Sequence, residues 1–133
     1  MRVMRVRFWV VMVLFAVALP VFGQGAATPT LLAYGTAVTG RLDDRTPTAL
    51  YQFEGLRGEF VRVTLTVTGG TLDAVLAVSA PDGRVLLVRD EDSETGQLMA
   101  QWRLPSNGLF GITAGRFGYA YGTTSGGYRI QVD

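Results

Sequence analysis

Apolar and polar residues alternate through positions 59–68, EFVRVTLTVT. Val61, Val63, Leu65 and Val67 fall on one face, and Arg62, Thr64, Thr66 and Thr68 on the other. A period of two, with β-branched residues on both faces, predicts a half-buried antiparallel strand. Segments of strand length and composition recur at roughly 36–42, 49–54, 72–80, 84–89, 97–104, 109–114 and 127–132. Turn signals separate them: Gly55-Leu56-Arg57-Gly58, Gly69-Gly70, Pro81-Asp82-Gly83, Pro105-Ser106-Asn107-Gly108 and Ser125-Gly126-Gly127. In Pro-Asp-Gly the proline presets φ and the glycine tolerates a positive φ. Helical periodicity is absent from this part of the chain. Eight short strands with frequent turns predict an all-β, two-sheet antiparallel β-sandwich, with a barrel as the alternative. Its core is expected to hold Tyr51, Phe53, Val61, Val63, Leu65, Val67, Leu76, Val78, Trp102, Phe110, Ile112, Tyr128, Ile130 and Val132.

The first 23 residues differ in kind. Arg2, Arg5 and Arg7 form a basic head, an apolar run follows from Phe8 to Leu19, and Pro20 breaks it. Val21 and Gly23 stand where a signal peptidase reads, so 1–23 is expected to be a secretory leader cleaved after Gly23. The run is shorter than the ~20 residues of a spanning helix, which argues against a retained anchor. Residues 24–34 read as a tether, and 35–133 as one domain long enough to bury a core. The mature protein is therefore expected to be secreted or periplasmic, with no membrane span.

Charge and composition narrow the chemistry. All 12 basic residues are arginine; three lie in the leader, and nine against 11 acids leaves about −2. That balance gives no support for nucleic acid or an anionic membrane as partner. Lys, His and Cys are all absent, which removes most general bases, nucleophiles and transition-metal ligands. Without cysteine there is neither a disulfide nor a lipoprotein anchor. Carboxylate pairs for glycoside hydrolysis need a cleft, which a sandwich of this size rarely offers. No catalytic residue is expected, and the protein reads as a non-enzyme.

An ordered set of short motifs runs from about Gly35 to Asp133. It begins with Tyr51-Gln52-Phe53 and Gly55-Leu56-Arg57-Gly58-Glu59, then Leu72-Asp73, Pro81-Asp82-Gly83 and the acidic Asp90-Glu91-Asp92. Leu104-Pro105, Gly108-Leu109-Phe110-Gly111-Ile112 and the closing Gly127-Tyr128-Arg129-Ile130-Gln131-Val132 complete it. Together these motifs resemble the bacterial pre-peptidase C-terminal domain family, which implies a jelly-roll-like sandwich, usually appended to a secreted protease or other exported enzyme. The resemblance also implies roles in secretion, attachment to substrate or surface, or restraint of that enzyme, with calcium or collagen bound by some relatives. Here no catalytic domain accompanies the motifs, and Ala49-Leu50 stand where the family often carries an acid.

Two stretches are candidates for function. In Arg89-Asp90-Glu91-Asp92-Ser93-Glu94-Thr95-Gly96 the acids alternate as hard-cation ligands do. Thr95 and Gln101 stand where an EF-hand requires glycine and glutamate, so that motif is excluded. The plainer reading is a solvated acidic hairpin loop between 84–89 and 97–104. The alternative is a calcium site of Asp90 and Asp92, with Asp73 added because the family places that aspartate at a strand end. The second stretch is Arg116-Phe117-Gly118-Tyr119-Ala120-Tyr121-Gly122, three rings alternating with small residues. Either Arg116, Phe117, Tyr119 and Tyr121 face a sugar or a protein partner, or Phe117 and Tyr121 fold back over the sandwich end. The expected function is an exported binding or accessory module towards a secreted enzyme, its substrate or a cell surface. Recognition of extracellular polysaccharide is the alternative.

Overall fold

The computed structural model describes residues 28–90 and 96–133. The leader 1–23 lies outside them, as do Glu91, Asp92 and Glu94 of the acidic stretch. Among the described residues, nine strands run in chain order: β1 Thr30–Leu31, β2 Val38–Leu42, β3 Thr48–Gly55, β4 Phe60–Val67, β5 Ala74–Ser79, β6 Val85–Arg89, β7 Gln97–Arg103, β8 Gly108–Arg116 and β9 Gly126–Val132. They form one sheet ordered β1-β3-β8-β5-β6 and a second ordered β2-β9-β4-β7. Both sheets keep open edges, so the fold is a β-sandwich and not a barrel. All eight expected strands are present, with ends shifted by one or two residues.

The ninth strand corrects the later part of the tether expected over 24–34, of which 24–27 lie outside the described residues. Thr30 and Leu31 pair in parallel with Tyr51 and Gln52 of β3. Leu32 then enters the core, and its N–H donates to the Gln52 carbonyl. Tyr34 sets its ring edge-on to Phe53 at 5.9 Å and donates its hydroxyl to the Glu54 carbonyl. The folded unit thus begins no later than Thr30. A second correction concerns topology. β6 edges one sheet and β7 the other, so these consecutive strands do not form the expected hairpin.

Inward parity builds the core as expected. Val61, Val63 and Leu65 of β4 are buried, as are Phe110 and Ile112 of β8 and Tyr128, Ile130 and Val132 of β9. Val67 and Trp102 are only partly buried, packed against the core margin. Phe53 and Phe110 pair in register and stack at 5.5 Å. Trp102 of β7 meets Phe53 edge-on at 6.2 Å, joining the two sheets. Its indole N–H is buried, with no hydrogen-bond partner among the described residues. A second tie between sheets is the buried hydrogen bond between the Tyr51 and Tyr128 hydroxyls. Burial first, and then that bond, hold the Tyr128 phenol well above its ordinary range.

Candidate functional site: an aromatic loop on a buried arginine

Strand β8 aims Phe110, Ile112 and Ala114 inward, and Arg116 continues the same parity. The chain therefore delivers an arginine to the end of the core, where it is 1% exposed. Its aliphatic stem suits that place, and its head must be satisfied by the surrounding chain. Nε donates to the Tyr119 carbonyl at 2.7 Å, and Nη1 to the Thr124 carbonyl at 3.1 Å. Nη1 also bonds Asp44 Oδ1 at 2.8 Å, and Nη2 reaches the Ala120 carbonyl at 3.5 Å. Asp44 itself is largely in solvent. The expectation that Arg116 faces a ligand is corrected: its donors are turned to the protein, and it organises the loop.

That loop is a tight structure. Gly118 at φ 83° and Tyr119 at φ 48° reverse the chain into a 3-10 turn over Tyr119–Tyr121. The Tyr121 N–H donates to the Gly118 carbonyl, and the Phe117 N–H to the Asp73 carbonyl. Gly115 leaves room for the Tyr119 ring, since a Cβ there would lie 2.7 Å from Tyr119 Cε1. Tyr119 thus rests on the outer face of the five-stranded sheet. Phe117 and Tyr121 remain outside, 60% and 93% exposed. The fold-back foreseen for Phe117 and Tyr121 is made instead by Tyr119.

The carboxylates are less concentrated. Leu76 pairs with Arg89, so Asp73 and Asp90 stand at one end of the neighbouring strands β5 and β6. Asp73 is half-buried and donates its backbone N–H to Thr124 Oγ1; Asp90 is exposed. Asp92, the third expected ligand, lies outside the described residues. Among the described residues, His, Cys, Asp and Glu nowhere gather in threes able to hold a metal ion. Asp43 serves its own turn. Its Oδ1 accepts the N–H groups of Thr46 and Arg45, and the Thr46 bond first of all lowers its pKa.

No family model and no curated protein matches the sequence. Among solved structures, the fold is similar to the pre-peptidase C-terminal domain of a collagenase from Bacillus anthracis. The TM-score is 0.68 at 12% identity, covering 81% of this chain and 97% of the other. CorA, a surface-associated copper-binding protein important in Methylomicrobium album BG8 copper acquisition, matches with TM-score 0.61 at 11% identity, over 81% and 98% of the two chains. PliG, a periplasmic inhibitor of g-type lysozyme from Salmonella Typhimurium, matches with TM-score 0.52 at 15% identity, over 80% and 100%. At such identities the likeness establishes the fold: the chain is a β-sandwich of the kind seen in that collagenase domain.

Proposed function

We propose that the chain is an exported, non-catalytic accessory module that engages a partner through the aromatic loop 117–121. One observation carries this reading. Tyr121 stands 93% exposed on a turn whose backbone is tied down by the buried Arg116. An exposed ring on a fixed backbone buries large area at low entropic cost when a partner arrives. The reading is supported by the fold's similarity to a pre-peptidase C-terminal domain of a collagenase, a surface-associated copper-binding protein and a periplasmic lysozyme inhibitor. Copper binding does not carry over from CorA, because this chain has neither His nor Cys. Export rests on the basic head and apolar run of residues 1–23.

The partner is a secreted enzyme, its substrate or a surface protein, with neutral polysaccharide as the second reading because sugar rings also stack on tyrosine. Phe117→Ala/Tyr121→Ala separates the two. Loss of retention on insoluble polysaccharide, with melting temperature unchanged, assigns the loop to sugars. Undiminished retention with loss of binding to a co-secreted enzyme assigns it to protein. Full retention of every interaction overturns the loop as the binding surface.

A further inference from the structure

The outer face of the four-stranded sheet has a charge pattern unlike the rest of the molecule. Each of its strands contributes one outward arginine: Arg41 from β2, Arg129 from β9, Arg62 from β4 and Arg103 from β7. All four are exposed, and these strands contain no carboxylate. The register sets them on a diagonal. Arg41 pairs with Gly127, two residues before Arg129; Arg129 pairs with Thr66, four residues beyond Arg62; Arg103 pairs with Phe60, two residues before Arg62. Strand spacing and rise make this about 14 Å across the sheet and about 27 Å along it, a line of about 30 Å.

Polar groups fill the line. Midway along it, Thr64, Thr66, Gln97 and Gln131 line a depression of about 140 Å³ together with Arg129 and Asp133. Among the described residues, two nearby acids temper the charge without removing it: Asp43 sits 3.6 Å from Arg41, and Asp133 accepts from the Gln131 amide. Guanidinium forks fit carboxylates, and hydroxyl and amide side chains fit sugar hydroxyls. We propose that this face binds a linear acidic polysaccharide, one carrying carboxylates along an extended chain, laid across the arginine diagonal. Nucleic acid suits the face less well. Its aromatic ring, Phe60, already lies under the Arg103 guanidinium at 5.7 Å and offers no stacking platform. A lipid surface would call for apolar side chains to insert, where the diagonal is lined by threonine and glutamine. The site lies on the opposite side of the sandwich from Tyr119, so it is independent of the aromatic loop.

The test is binding of the full chain to polygalacturonate by isothermal titration at low and at physiological salt. Binding is expected to weaken with salt, and Arg62→Gln/Arg129→Gln to weaken it about tenfold, the sum of two exposed ion pairs. Arg62→Lys/Arg129→Lys keeps the charge but loses the fork, and should bind between the wild type and the glutamine variant; Arg84→Gln, on a distant turn, should retain all of the affinity. Phe117→Ala/Tyr121→Ala should bind polygalacturonate like the wild type, which separates this site from the loop. Failure of the wild type to bind, an unchanged affinity in the double glutamine variant, or equal affinity for dextran overturns the proposal. Equal affinity for double-stranded DNA or phosphatidylglycerol vesicles overturns it as well.

Discussion

Tyr128 joins the two sheets through Tyr51 and lies so close to Gly40 that a Cβ at residue 40 would run into its hydroxyl and ring. Gly40→Ala should therefore lower stability by about 1–3 kcal/mol, the usual range for overpacking, measured as a fall in urea midpoint at unchanged slope. The same tyrosine gives the fold an alkaline limit. Its folded-state pKa lies above the ordinary phenol value of 10.0, so the folded form holds that proton more firmly than the unfolded chain does. The stability it contributes is present below about pH 10 and is lost as pH rises beyond that value. Urea midpoints taken from pH 8 to pH 11.5, about one and a half units past the ordinary phenol value, should fall for the wild type and fall less for Tyr128→Phe. At pH 8 that variant should already be weaker by about 1 kcal/mol, because Tyr51 loses its partner.

Strand β4 was the most legible element. Its period of two places Val61, Val63 and Leu65 in the core and Arg62, Thr64 and Thr66 outside. Val63→Asp should leave the chain unfolded by circular dichroism, since an unpaired buried charge costs several kcal/mol against a total of ~5–15. Elements that depend on distant partners were hidden. β1 is two residues long and exists only by pairing with β3, and no local period marks such a piece. The passage from β6 to β7 looks like a hairpin because adjacent strands commonly pair, but the two edge different sheets. In the candidate site, the three rings were legible and their division of labour was not. The signal for Arg116 was parity: it follows Phe110, Ile112 and Ala114 at every second residue of β8, though arginine is rarely buried. Tyr119→Ala should lower the melting temperature by several degrees, as expected for ~1–2 kcal/mol of lost packing on Gly115, while Tyr121→Ala should leave it unchanged. Arg116→Met should loosen the loop far more than Asp44→Asn, because three backbone carbonyls also depend on the guanidinium.

At the scale of the molecule, the two outer faces differ in chemistry. One sheet supports a fixed aromatic turn, and the other carries a diagonal of arginines between threonines and glutamines. Mass spectrometry of the exported protein should find Gln24 at its N-terminus; Met1 there would show the leader retained. Removing the leader would also remove Trp9, leaving Trp102 as the sole tryptophan. Its ring meets Phe53 across the gap between the sheets, and its indole N–H is shut away from water. A single indole in that position emits at short wavelength while the layers stay together and shifts to the red when they part. The seam of the sandwich thus carries its own optical gauge. Denaturation could be followed without a dye or label, and the emission of Trp102 would separate fraying of edge strand β7 from collapse of the whole fold when compared with far-UV dichroism.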